Sequence, residues 1–310
     1  MRVAFGAGGF AACLVAMGGC VVGDIGPADR FHEDFHYTFP VGQKARIDAE
    51  SFNGAIDIEG WDRPEVEITG MKFASTESGR DAIRIDVHHT QDSVEVRAVR
   101  PSERPGNMGA KFTLHVPRNA EVDRVTTSNG SIAVQDVGRA AHLNSSNGPI
   151  RINGVRGEVE AHTSNGPIDA ESLEGMAKLK TSNGHIRVDG IAGGLEAETS
   201  NGGITARLVS SPSAPVRLHT SNGPVDLTME KAPQGDIRAE TRNSPITLHL
   251  PAETSSNVTA DTSNSSVKCD FDVAGDNEKG HLHGNIGAGG HAIELTTSNG
   301  PIRIVKGSGE

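Results

Sequence analysis

The chain has 310 residues, with 29 Lys and Arg against 40 Asp and Glu, a net charge of −11, and 38 glycines beside only 4% aromatic residues. The negative balance, with no basic cluster interleaved with aromatics, argues against nucleic acid as a partner. Few rings and many glycines disfavour a globular core of large side chains and favour tightly turning strands.

Residues 1–19 have the anatomy of a signal peptide: Arg2, a small apolar run over 3–16, then Met17, Gly18 and Gly19 before Cys20. The last four resemble a bacterial lipobox, with Met17 where Leu is usual. That resemblance implies cleavage before Cys20, a diacylglycerol on its thiol and, with Val21 rather than Asp next in line, the outer membrane. The alternative is an ordinary secretory cut that leaves Cys20 unmodified; both readings export the protein. Two or more acyl chains, at roughly 0.8 kcal/mol per buried CH₂, hold a protein stably on a bilayer. No later stretch has the eighteen or so apolar residues of a membrane-spanning helix, so attachment is expected at the N-terminus alone. Residues 20–38, interrupted by Gly23, Gly26 and Pro27, read as a tether. Of the three cysteines, Cys13 lies in the signal, which leaves Cys20 and Cys269 and no disulfide framework.

Residues 39–122 carry an early Asn-Gly at Asn53 and strand-like runs over 65–69, 83–87, 94–98 and 111–116. This region is expected to supply a first coil and an N-terminal β cap, because an open end would present unpaired backbone edges.

From 123 to 305 one unit recurs, marked by Asn129, Asn147, Asn165, Asn183, Asn201, Asn222, Asn243, Asn264 and Asn299. The steps are mostly 18 or 21 residues; the last, of 35, suggests a degenerate coil between Asn264 and Asn299. Three and five residues after the Asn stand inward candidates such as Ile168 and Ala170, and four and six before it Ala161 and Val159, with Asp123 the exception. Thr or Ser always stands two before. Period two on both sides of a fixed bend means strand, bend, strand. A unit this short has no core of its own and must stack on its neighbours at the strand spacing of about 4.8 Å. The expected fold is all-β: a parallel β-solenoid, or β-helix, of about nine to ten coils, followed by a tail at 306–310. In this reading the Gly after each Asn supplies a positive φ, the Asn amides form a structural ladder from coil to coil, and the Ser/Thr hydroxyls form a second. Pro149, Pro167, Pro224, Pro245 and Pro301, lacking an N–H, belong at the corner.

An N-terminal lipobox, the segment Phe52-Asn53-Gly54-Ala55-Ile56, the step Val116-Pro117 and successive Thr-Ser-Asn-Gly-x-Ile coils ending at Ile304 together resemble the bacterial putative-adhesin family of unknown function. The resemblance spans roughly 35–305 and implies a β-helix-like fold and an envelope location, with no catalytic residues to carry over.

Chemistry-bearing residues outside the repeat are few. Cys269 occupies an inward column, so a core thiol is expected. His281 and His283 share one strand face with His291 nearby, without a carboxylate or Cys at ligand spacing. The adjacent His88 and His89 point to opposite faces. The column Thr126, Asn144, His162, Lys180, Glu198, His219, Glu240, Asp261, Thr296 reads as a solvated face. The glycine-rich stretch 284–290 lacks the Lys and helix of a phosphate loop and reads as a turn. No catalytic residue, metal or cofactor is expected. The expected function is a membrane-anchored binding, adhesin-like or scaffolding protein of the cell envelope, with a glycan or an envelope protein as partner. The competing readings are a polysaccharide-acting β-helix enzyme and an envelope-stress accessory.

Overall fold

The computed structural model describes residues 30–102 and 106–307. The signal peptide and Cys20 lie outside the described residues.

The described protein begins with β1 (Phe31–Pro40), then makes a first coil from β2 (Arg46–Ser51) and β3 (Ile56–Trp61). A detour follows: β4 (Glu65–Ala74), the short α1 (Glu77–Ala82), β5 (Arg84–His89), β6 (Ser93–Val99) and β7 (Met108–Pro117). The repeat proper contributes two strands per coil. These are β8 (Glu121–Thr127) with β9 (Ile132–Gln135), β10 (Ala141–Ser145) with β11 (Ile150–Asn153), and β12 (Val159–Thr163) with β13 (Ile168–Glu171). Next come β14 (Ala177–Thr181) with β15 (Ile186–Ile191), and β16 (Leu195–Thr199) with β17 (Ile204–Leu208). They are followed by β18 (Val216–Thr220) with β19 (Val225–Met229), β20 (Ile237–Glu240) with β21 (Ile246–Leu250), and β22 (Ser256–Thr262) with β23 (Val267–Cys269). A hairpin of β24 (Val273–Glu278) and β25 (His281–Ile286) precedes the last coil, β26 (His291–Thr297) with β27 (Ile302–Lys306).

The two strands of each coil go to different sheets. One runs β1-β4-β7-β3-β9-β11-β13-β15-β17-β19-β21-β27-β23, the other β24-β25-β22-β26-β20-β18-β16-β14-β12-β10-β8-β2-β6-β5. Within the repeat the neighbours are parallel and, apart from single shifts between β8 and β10 and between β15 and β17, in register, with Ile150, Ile168 and Ile186 side by side in one sheet and Val159 and Ala177 in the other. The fold is therefore an all-β solenoid flattened into two facing sheets, with inward aliphatics from both merging into one continuous core. Each fully buried Ile or Leu contributes about 1.5–3 kcal/mol relative to exposure, gained only when a coil has neighbours on both sides.

A further inward column, eight residues after the Asn, closes the edge opposite the Asn corner: Val137, Val155, Leu173 and Ile191 are all buried. Asp123 breaks its column because the pairing register shifts there: Val122 pairs with Ile47, and Arg124 with Asp48. This bulge keeps Val122 inside and Asp123 out.

Two expectations are corrected. Residues 31–38, read as the end of a tether, belong to β1, which pairs antiparallel with β4. Alternate residues of β1, Phe35, Tyr37 and Phe39, pack against the core, and that burial recruits the segment into the sheet. No degenerate coil fills the gap after Asn264: residues 273–286 form an antiparallel hairpin, and β24 is the outer edge of its sheet. The coils are also out of sequence order at both ends. β26–β27 sits between β20–β21 and β22–β23, and β2–β3 sits between β6–β7 and β8–β9. The sequence-terminal coil is thus gripped on both edges, and the spatial end carries the antiparallel hairpin with Asp276 and Glu278 on its outermost strand. At the other end the β1 and β5 edges meet, with Phe39 stacked on His89 at 4.1 Å between ring centroids.

Candidate functional site

The corner defines the rod's surface. Asn147 donates from Nδ2 to Asn129 Oδ1 at 2.8 Å, Asn165 to Asn147 at 2.7 Å, Asn183 to Asn165 at 2.7 Å and Asn201 to Asn183 at 2.7 Å. The line continues through Asn222, Asn243, Asn299 and finally Asn264, each bond between 2.8 and 2.9 Å. The amides are solvent-exposed, and the series of polarised bonds runs in the spatial order of the coils.

The Ser/Thr hydroxyls do not form a second ladder. All are buried, and five of them, Ser145, Thr163, Thr181, Thr199 and Thr220, clamp two glycines each: Thr163 Oγ1 donates to Gly148 O at 3.1 Å and accepts from Gly166 N at 3.3 Å. Thr181 does the same with Gly166 and Gly184. A hydroxyl can donate and accept at once, whereas the two backbone groups would otherwise be buried unpaired at about 1–3 kcal/mol each. Nor do these glycines adopt positive φ. They are required by contact: a Cβ at Gly166 would lie 2.0 Å from Gly148 O, and one at Gly184 would lie 1.9 Å from Gly166 O.

Outward columns on the sheet faces are paired across coils. Lys178 meets Glu158 at 2.6 Å, Lys180 meets Glu198 at 2.8 Å and His219 meets Glu240 at 3.3 Å. Such exposed pairs contribute little stability, roughly 0–1 kcal/mol each, but they leave a face whose charges answer one another.

That regularity breaks where the coil lengthens from 18 to 21 residues. The extra residues fall in the segments 209–215 and 230–236, and beside the second of these the inserted C-terminal coil begins at His291. Between them lies a recess of about 460 Å³ lined by Ser213, Pro215, Arg217, Asp236, Arg238, His291 and Glu294 among others. Arg217, Arg238 and Glu294 are consecutive members of one register column. Arg238 is fully engaged: Nη2 donates to Glu240 at 2.6 Å and Nη1 to Glu294 at 3.3 Å. The Arg238 hydrogen bond, with help from His219, holds the Glu240 carboxyl below its usual range. Asp236 accepts from Ala292 N at 3.0 Å and faces His291 at 3.7 Å. Among the described residues Arg217 has no hydrogen bond or ion pair, so one guanidinium in the recess is uncommitted.

The other sequence candidates are placed as follows. Cys269 is half-buried at the end of β23 against the core, and burial pushes its thiol up, the opposite of an activated nucleophile. His281 and His283 share the outer face of β25 with stacked rings, but each has its own partner: Asp261 for His281, and Thr259 at 3.1 Å for His283. His291 lies in the recess with Asp236, away from that pair. Among the described residues no group of three or more His, Cys, Asp or Glu could hold a metal ion. His88 and His89 are both exposed on β5. The 284–290 stretch is the end of β25 and a turn, with Gly287 at φ 59° and Gly289 at φ 77°.

The structure also assembles a cluster that spacing did not reveal. Glu67 lies between His36 at 3.0 Å and His115 at 3.4 Å, and His115 stacks on Trp61 at 5.1 Å. Its members come from β1, β3, β4 and β7, whose adjacency follows from the detour and not from any repeat.

Asp261, through its hydrogen bond first and its charge second, raises the His281 pKa. A folded value above the unfolded one stabilises the protein below the unfolded pKa, and that stabilisation is lost as pH rises through the folded value. In Asp261→Asn the His281 titration, followed by NMR, should drop to lower pH; an unmoved titration would contradict the contact.

The profile of the family described as Toastrack DUF4097 matches residues 34–245. No curated protein matches this sequence. Among solved structures, a putative adhesin from Parabacteroides distasonis is 10% identical with a TM-score of 0.35, the match covering 90% of this protein and 98% of that one. A putative adhesin from Bacteroides fragilis is 12% identical, TM-score 0.28, over 88% of this protein and 97% of that one. A putative cell adhesion protein from Clostridium sporogenes is 11% identical, TM-score 0.22, over 89% and 100%.

Proposed function

The chain belongs to the Toastrack DUF4097 family, and on that premise we propose that it is an exported lipoprotein, anchored through Cys20, that binds an acidic glycan of the cell envelope. The observation that carries the binding role is the uncommitted Arg217 in a recess on a face whose other charges are largely paired. A guanidinium presents a planar fork of donors that suits a carboxylate, and the concavity gives a sugar ring more contact than the flat sheet around it. A rod of register-locked coils holds such a recess rigidly, so little conformational entropy is lost when a polymer lies along it. The N-terminal segment that reads as a signal and lipobox supports the anchored location. The outer membrane is the compartment this reading favours.

Binding of the mature protein to polygalacturonate and to a neutral glucan, measured by calorimetry, tests the assignment. Arg217→Ala should weaken polygalacturonate binding roughly ten- to hundredfold, the loss of one charge-assisted hydrogen bond. It should leave the melting temperature unchanged. Equal binding by the variant, or no acidic-glycan binding by the parent protein, rejects the site. Mass spectrometry of a diacylated Cys20 peptide tests the anchor separately.

A further inference from the structure

Nine Asn-Gly pairs occur in the sequence, at Asn53, Asn129, Asn147, Asn153, Asn165, Asn183, Asn201, Asn222 and Asn299. Asn-Gly is the peptide sequence most open to spontaneous rearrangement, because nothing on the glycine shields its nitrogen. The Gly nitrogen attacks the carbonyl carbon of the Asn amide group; a new bond between them closes a succinimide, the bond from that carbon to the amide nitrogen breaks, and the proton leaves with ammonia. Water then opens the ring to aspartate or isoaspartate, so one water is consumed and one ammonia released.

Both reacting groups are restrained in most of these pairs. Asn147, Asn165, Asn183, Asn201, Asn222 and Asn299 each donate their amide to the preceding ladder member. In the same six coils the attacking Gly N–H is held by the buried Ser or Thr hydroxyl, at 3.0 Å for Gly148 and 3.2–3.3 Å for the others. Asn53 turns its amide to Asn107 Oδ1 and Met108 O, at 3.0 and 2.9 Å. Asn153 donates to Glu171 at 3.2 Å, and Gly154 N to Glu171 O at 3.1 Å.

Asn129 differs. It accepts from Asn147, but because Asn53 points away, among the described residues its own amide donates to nothing. Its glycine also lacks the clamp: the Thr127 hydroxyl donates to Gly54 O, and among the described residues Gly130 N–H has no partner. The amide is exposed, and the ladder ends there.

We propose that Asn129 is the protein's modification site for spontaneous deamidation, and that the ladder and the hydroxyl clamp protect the asparagines stacked beyond it. Asn129, Asn165 and Asn299 share the local sequence Thr-Ser-Asn-Gly, so their reactivities should converge once the fold is lost.

The test holds the full mature protein in mildly alkaline buffer at body temperature, folded or in urea, and follows isoaspartate at each pair by peptide mass spectrometry. In the folded protein Asn129 should convert roughly tenfold or more faster than Asn165 and Asn299, the effect of withdrawing two hydrogen bonds. In urea the three rates should be alike. Equal rates in the folded protein overturn the proposal, as does a rate ratio that persists unchanged in urea.

Discussion

Ile168→Asp is expected to unravel several coils together, at a cost of roughly 5 kcal/mol or more, since it places an unpaired carboxylate in the core. Ile168 is fully buried, with Ile150 and Ile186 as its lateral neighbours. Among the described residues that interior column is aliphatic throughout, and the stack carries the damage outward because each coil is stabilised only by its neighbours. Urea denaturation followed by circular dichroism, with hydrogen exchange to locate the opened coils, reads the effect. Ile168→Val, which removes one methyl group, should cost only about 1 kcal/mol. An aspartate variant as stable as the valine variant would mean that the aliphatic column is not the core.

Gly166→Ala is the second large effect, expected at about 3 kcal/mol or more, as for severe overpacking. The added methyl would sit 2.0 Å from Gly148 O and 2.4 Å from Gly148 C, both backbone atoms of the coil beneath. Relief requires the coils to part, which also weakens the Thr163 clamp on Gly148 and Gly166. Gly190 provides the contrast: it has φ 73° but no neighbour closer than 3.6 Å, so Gly190→Ala should cost only about 1–2 kcal/mol of backbone strain. Were the two alanine variants equally stable by thermal denaturation, close approach would not be the reason for the corner glycines. Coils that carry Ser in place of this glycine fit the same picture. Among the described residues Ser244 and Ser265 have no N–H bond to the Thr hydroxyl, and Ser244 Oγ instead donates to Asn222 O at 2.6 Å.

The candidate recess was the least legible part of the protein. Arg217, Asp236 and His291 have no motif or common spacing, and His291 lies far along the sequence from the coil it joins. The change from 18- to 21-residue steps is the signal that marks where the surface departs from regularity. The Trp61, His115 and Glu67 cluster had no such signal, since its strands become neighbours only through the β4–β7 detour. The role of the corner glycines is hidden in the sequence for a related reason: a positive φ is a property of one residue, whereas the contact of Gly166 with Gly148 exists only after stacking. The hydroxyls find nearer partners in those same glycines than in one another.

By itself the sequence determined the coil: strand, corner, strand, with Ile or Val three residues after Asn on the inner face. Alternation is a local property, because successive side chains on a strand must point to opposite sides whatever lies beyond. Tertiary structure alone decided the order of the coils at the two ends and the surface that results. Every coil offers much the same hydrogen-bonding edge, so sequence proximity does not dictate which edge meets which. Burial of β26–β27 between β20–β21 and β22–β23, with the β24–β25 hairpin left outermost, is a choice made by the whole stack.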